Sequence, residues 1–179
     1  MTLMGLSAAI YGQYVYIDNT SGGGLVLGLR PNDQLNVTLM GGPVGGSLVP
    51  VVTLTGCIGD GCGIGGLLNL GNGLVYDSNG WPYAIPGVGA NATASLQLQF
   101  WVGSSSTFAE AVAGGYGAAA SPVYSNPTGG ADIPPLFNWV SAMANMPNVF
   151  VGELIPEPST LALAGLGAAV LVMYRRRVA

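Results

Sequence analysis

Short runs of alternating apolar and polar residues, separated by turn-forming residues, constrain this chain to β structure. Every second residue is apolar in segments 35–40 and 95–102. An alternation with a period of two is typical of strands with one buried face. Five further segments have strand composition: 13–17, 25–29, 51–55, 73–77 and 149–153. Because no long helical pattern separates them, the sequence predicts an all-β domain, either an antiparallel β-sandwich or a jelly-roll-like fold.

One or two short helices are also predicted. Thr107 is followed three positions later by Glu110, which is a capping-box spacing, and Gly114 and Gly115 supply a stop. A second helix is predicted over residues 136–145, where prolines precede and follow the segment.

The charge composition excludes several classes of function. The chain has no histidine and no lysine, and ahead of residue 156 a single base, Arg30, stands against seven carboxylates, a net charge of −6. A phosphate backbone is bound by clustered lysine and arginine, so we expect no nucleic-acid partner. Serine nucleophiles need a histidine or lysine base, and metal hydrolases need histidine-rich ligation. The sequence therefore predicts a protein that is not an enzyme, with no catalytic residues, no metal and no cofactor. A pair of carboxylates, as glycosidases use, is the one catalytic alternative that the composition leaves open.

The two cysteines lie close together in a glycine-rich segment. Cys57 and Cys62 flank four residues, two of them glycine, which can bend tightly enough to bring the sulfurs together. A disulfide is the expected state in an exported chain, and a ring this small contributes about 2 kcal/mol. A redox pair is the first alternative, although the spacing is not C-x-x-C; a metal site is the second and would need two further ligands.

Aromatic residues are candidates for ligand contact. Trp101 falls on the polar side of the alternation in 95–102, where a side chain is expected to be exposed, so it is the first candidate for contact with a ligand or partner. Flat aromatic faces suit sugars and other amphipathic ligands. Core packing is the alternative reading of an aromatic residue.

The C-terminal segment combines three features in a fixed order. A Pro-Glu-Pro-Ser-Thr run at residues 156–160 precedes an apolar run at 161–174 and the arginine cluster at 175–177. The apolar run has 14 residues, or 17 when counted from Pro158, whereas a span usually needs about 20. Arginine stems can reach the headgroups and cover part of this mismatch. The sequence predicts a single transmembrane helix at 158–174 with the arginines in the cytoplasm and the domain outside.

This order of features resembles the PEP-CTERM sorting signal of Gram-negative bacteria. The resemblance implies export, transient anchoring in the inner membrane and processing by an exosortase, a membrane protease. It assigns sorting roles to the residues that carry it: Pro156, Glu157, Pro158, Ser159, Thr160, Arg175, Arg176 and Arg177. An ordinary tail anchor and a buried core helix are the alternatives.

The predicted domain organisation has three parts. Residues 1–12 resemble the end of a signal peptide whose start lies upstream, with an ordinary first strand as the alternative. Residues 13–152 form the β ectodomain, and residues 153–179 form the sorting signal with its transmembrane helix.

The function predicted from these features is that of an exported structural protein. The setting of the sorting family implies a location at the cell surface or in an extracellular polysaccharide matrix, the material of a biofilm. The expected partners are an exosortase, the inner membrane and an exopolysaccharide. The alternative is a lectin-like carbohydrate-binding module.

Overall fold

The computed structural model describes residues 14–20, 22–29, 33–58, 66–71, 73–80, 82–130 and 140–152. The predicted signal-peptide remnant and the C-terminal segment 153–179 lie outside these residues, so the predicted domain boundaries stay predictions. In the described ranges no helix is long and apolar enough to cross a membrane.

The described residues form twelve strands and one short helix. In chain order they are β1 (Tyr14–Tyr16), β2 (Val26–Leu27), β3 (Gln34–Pro43), β4 (Val49–Ile58), β5 (Gly66–Gly71), β6 (Leu74–Asp77), β7 (Tyr83–Ala84), β8 (Thr93–Val102), α1 (Phe108–Ala113), β9 (Ala118–Ala120), β10 (Tyr124–Pro127), β11 (Val140–Ser141) and β12 (Val149–Phe150). The all-β prediction is confirmed.

The largest sheet has seven strands in the order β10-β8-β3-β4-β5-β6, with β9 also paired to β8. Strand β3 is central, and its Val37 lies opposite Leu54 of β4 and Phe100 of β8 in antiparallel register. Two smaller sheets, β11-β1-β7 and β12-β2, complete the described part.

The predicted antiparallel arrangement holds for most of the described strand pairs but not for all of them. Strand β4 pairs parallel with β5, β1 with β11, and β2 with β12. An alternation of apolar and polar residues shows which side chains face the core but is the same in either chain direction. Strand direction was therefore not readable from the pattern.

The core lies against one face of the large sheet. Apolar residues of β3 and β8 on this face are fully buried: Leu35, Val37, Leu39, Leu96, Leu98 and Phe100. They belong to one cluster with residues of the smaller sheets and their connections, among them Val15, Ile17, Val26, Ile85, Met143 and Val149. Most of the residues that alternate with them are neutral and polar, with Met40 and Trp101 as exceptions. The Thr38 and Thr53 hydroxyls lie 2.7 Å apart, and Thr55 donates to Asn36 Oδ1 at 2.8 Å. The large sheet thus has one apolar face and one uncharged polar face.

The predicted cap of α1 is confirmed. Thr107 is the N-cap, and its Oγ1 accepts a hydrogen bond from the Glu110 N–H at 3.2 Å. The Glu110 carboxylate in turn accepts from the Ser106 N–H at 3.0 Å. Gly114 ends the helix, and Gly115 follows with φ of 70°.

The second predicted helix, over 136–145, is wrong in its described part. Val140–Ser141 is strand β11, which pairs with β1, and residues 142–145 form a turn. Residues 136–139 lie outside the described residues. Pairing with a partner strand distant in sequence decides this segment, and no local signal reports such a partner.

One buried side chain, Asn19, joins three separate parts of the backbone. Its Nδ2 donates to the carbonyls of Gly24 at 2.8 Å and Gly73 at 2.9 Å, and its Oδ1 accepts from the Val75 N–H at 2.7 Å. Its own backbone N–H donates to the Val75 carbonyl at 3.2 Å. The side chain is 2% exposed, so water cannot replace these partners. Asn19 therefore fixes the approach to β2 against the start of β6.

Replacing Asn19 by alanine should destabilise the fold. The change removes the side-chain partners of the Gly24 carbonyl and the Val75 N–H, while the Gly73 carbonyl keeps the Val26 N–H as a donor. We expect the free energy of unfolding to fall by about 3 kcal/mol. Urea unfolding of the purified protein measures this. Thr20→Ala, at an exposed neighbour, is the matched control and should change stability by less than about 0.5 kcal/mol. Equal effects of the two changes would contradict the role given to Asn19.

Candidate functional site

Most of the residues predicted to carry function fall outside the described part of the chain. This holds for Pro156–Thr160, for Arg175–Arg177 and for Cys62. The backbone of Cys57 lies near the end of β4, but its side chain is also outside the description. The Cys57–Cys62 disulfide therefore stays a prediction.

The expectation that Trp101 is exposed is wrong. Trp101 is 1% exposed, and its indole N–H donates to the Ser105 carbonyl at 2.9 Å. Phe108 of α1 meets the indole edge to face, with ring centroids 6.4 Å apart. The alternation correctly placed Trp101 on the face opposite Phe100, but α1 and the segment before it cover that position. The indole is thus not available as a ligand contact.

The structure contains a groove that was not predicted from the sequence. The groove has a volume of 330 Å³, and its lining residues come from two chain segments: Tyr16, Ile17, Asp18, Tyr76, Asp77, Ser78 and Gly80. Asp18 and Tyr76 lie opposite each other in an antiparallel bridge, and the Asp77 N–H donates to the Ile17 carbonyl at 2.9 Å. Successive side chains in paired extended segments lie on opposite faces. One outer face therefore carries the side chains of Tyr16, Asp18, Tyr76 and Ser78.

Asp77 supports the groove from the buried side. Its Oδ1 accepts from the Asn79 backbone N–H at 2.9 Å and from Asn79 Nδ2 at 3.1 Å. Its Oδ2 accepts from the Tyr83 hydroxyl at 2.6 Å. Both oxygens are thus used to hold the turn after β6 and strand β7, which is a structural role.

Asp18 is the carboxylate that a ligand can reach. It is half-buried, and its Oδ1 accepts from the Thr20 N–H at 2.6 Å. No described residue donates to its Oδ2. The backbone of Asp18 is held in place because its carbonyl accepts a hydrogen bond from the Ser141 hydroxyl. The Ser78 hydroxyl donates to the Gly66 carbonyl at 3.0 Å, so it can only accept from a ligand. The groove therefore offers two tyrosine rings and two acceptor oxygens, those of Asp18 Oδ2 and Ser78, on a supported backbone.

This set of groups suits binding rather than proton transfer. Tyrosine rings pack against the C–H faces of sugars, and carboxylate and hydroxyl groups bond to ligand hydroxyls. No group of three histidine, cysteine or acidic side chains that could hold a metal ion occurs among the described residues. A signal for the groove was present in segment 14–18, where tyrosine and aspartate alternate with valine and isoleucine, and in segment 74–77, where Tyr76 and Asp77 follow two apolar residues. Strand prediction alone could not show that the two segments lie side by side.

Comparison with known proteins bears on the C-terminal segment. Residues 154–177 match the family model of the PEP-CTERM protein-sorting motif. The chain is thus a protein with a C-terminal sorting signal, and the signal is of the PEP-CTERM type. The resemblance drawn from Pro156 to Arg177 is confirmed. Neither a curated protein nor a solved structure matches the chain.

Two partly buried tyrosines, Tyr83 and Tyr124, make the stability of the fold dependent on pH. Burial raises the pKa of Tyr124, and burial together with the Asp77 carboxylate raises the pKa of Tyr83. In the unfolded chain a tyrosine loses its proton near about pH 10. Above that pH the unfolded state binds fewer protons than the folded state, so stability falls as pH rises.

We therefore expect the free energy of unfolding to be unaffected by these phenols below about pH 10 and to decrease above it. Urea unfolding measured at pH values on both sides of this point tests the expectation. Tyr83→Phe should reduce the decrease, because phenylalanine has no proton to lose. A stability that stays constant to pH 12 would show that the two phenols are not held neutral by the fold.

Proposed function

We propose that this protein is exported, processed by an exosortase and retained as a structural component of the cell surface or extracellular matrix. The observation that carries the proposal is the PEP-CTERM motif at residues 154–177. This motif indicates exosortase-dependent sorting. A transient anchor at 158–174, followed by Arg175–Arg177 in the cytoplasm, would hold the domain outside the inner membrane until processing.

A structural role is supported by how the domain uses its polar groups. The buried side chains of Asn19, Asn36 and Asp77 bond to the protein itself. The chain has no histidine and no lysine that could act as a general base. We therefore propose that the domain has no hydrolase or transferase activity.

The sorting proposal predicts the fate of a motif variant. Replacing Pro156, Glu157 and Pro158 with alanines should leave uncleaved precursor in the inner membrane, because a protease recognising Pro-Glu-Pro loses its target. Immunoblotting of membrane and extracellular fractions, in a strain that has its exosortase, measures this. Alanines at Pro134 and Pro135, a proline pair outside the motif, are the control and should not affect processing. Normal processing of the triple variant would contradict the proposal.

A second candidate function, binding of a glycan, is favoured by the groove. Its 330 Å³ volume lies at the lower end of the range for small-ligand pockets, about 300 to 1,000 Å³, and suits one or two sugar rings. Tyr16 and Tyr76 provide the aromatic faces, and Asp18 provides an acceptor for ligand hydroxyls. An uncharged polysaccharide is the ligand class that fits best, because the acidic domain would repel an anionic one.

The groove predicts a specific pattern of binding losses. Tyr76→Ala should weaken glycan binding by about 1 to 3 kcal/mol, in line with the loss of an aromatic contact. Tyr116→Ala is the matched control, since Tyr116 is exposed but does not line the groove. A glycan array followed by calorimetry gives the affinities, which should depend little on salt because the groove has no base. Binding that survives Tyr76→Ala would place the site elsewhere, and an array without binding would remove this candidate.

A further inference from the structure

The last described strand, β12, presents an exposed aromatic ring just before the sorting motif. Phe150 is 68% exposed, although Val149 and Val151 on either side of it are buried. Its register partner on β2 is Leu27, which is 36% exposed and follows the buried Val26. Phe150 and Leu27 thus form an outward-facing apolar pair, which we call the exit patch.

Two glycines hold the Phe150 ring in place. A Cβ added to Gly152 would lie 2.1 Å from Phe150 Cε1, and one added to Gly28 would lie 3.0 Å from Cε2 and Cζ. The ring therefore lies against bare backbone on both sides. Gly28 has φ of 84°, a conformation that also favours glycine. The exposed ring is consequently part of a fixed surface.

Strand β12 is itself well attached to the domain. The Val149 N–H donates to the Leu25 carbonyl at 2.8 Å, and the Val151 N–H donates to the Leu27 carbonyl at 2.7 Å. The Asn148 side chain accepts from the Leu25 N–H at 2.8 Å. Strand β12, and with it the exit patch, is therefore an attached part of the domain.

Covalent reach limits the distance between the exit patch and the anchor. Pro158 lies six positions after Gly152, which allows at most about 22 Å between them when the chain is fully extended. A tether of this length keeps its two ends at an effective concentration of about millimolar. At this effective concentration a weak apolar contact with the bilayer is populated, although the same contact is too small to hold an untethered protein there.

We propose that the exit patch rests on the headgroup region of the inner membrane while the sorting motif is anchored. This inference depends on the membrane anchoring proposed above. Aromatic and aliphatic side chains are favoured at the boundary between headgroups and acyl chains. The contact would turn one side of the domain toward the bilayer and hold the start of the sorting motif at the bilayer surface. Cleavage removes the tether, and two side chains alone are too small an anchor to retain the released domain.

Site-specific fluorine labels test this proposal on the full chain. The chain carries 4-fluorophenylalanine at Phe150 in one sample and 3-fluorotyrosine at Tyr116 in another, and is reconstituted into phosphatidylcholine vesicles that contain a headgroup-proximal nitroxide lipid. Tyr116 is the matched control, because it is 54% exposed but not part of the exit patch. The proposal expects the fluorine signal of Phe150 to be broadened several-fold more than that of Tyr116. Chain lacking residues 153–179, added to the same vesicles, should show no such difference.

Vesicle flotation in parallel separates this inference from the anchoring on which it depends. A full chain that floats but whose two labels broaden equally would overturn the exit-patch contact and leave the anchoring intact. A full chain that fails to float would overturn both. Strong broadening of Phe150 in the truncated chain would also overturn the proposal, because the contact would then not depend on the tether.

Discussion

The scarcity of positive charge is the constraint on which the rest of this structure depends. Ahead of the C-terminal segment the chain has one arginine and no lysine or histidine, so ion pairs cannot satisfy its buried polar groups. Neutral hydrogen bonds do this instead. The Asn19 side chain ties three backbone segments together, and Asn36 bonds to both Thr55 and the Gly103 carbonyl. The buried carboxylate of Asp77 is held by an amide and a phenol.

The same constraint shapes the face of the large sheet that lies opposite the core. The large sheet turns its aliphatic residues inward and its threonine, asparagine and glutamine residues to the other face. Part of this face is buried as well, since Asn36 and Thr38 are 3% and 8% exposed, and these side chains bond within the protein. The low charge of the domain also means that no strong electrostatic field opposes apolar contacts such as that of the exit patch.

Sequence patterns predicted much of the fold because they report which side chains are buried. Strands β3, β4 and β8, and the Thr107 cap of α1, were all predicted and all confirmed. Strand β5 was not predicted. The parallel pairings were not predicted either, because the alternation is the same in either chain direction. The position of β11 was missed because its partner, β1, is distant in sequence. Trp101 shows the same limit at the level of a site: the pattern gave the correct face, but α1 covers it. The groove was missed since it forms only when residues 16–18 and 76–78 lie side by side.

The central claim is that apolar burial and neutral hydrogen bonds, rather than ion pairs, hold the domain together. Urea unfolding of the exported protein in about 0.05 M and about 1 M sodium chloride tests it most directly, because salt at the higher concentration screens charge interactions beyond about 3 Å. Screening weakens attraction between opposite charges and relieves repulsion among the carboxylates. The account predicts a midpoint that is unchanged or slightly higher in the high-salt solution. A clear fall in the midpoint would show that attractive charge pairs carry the stability and would contradict the account.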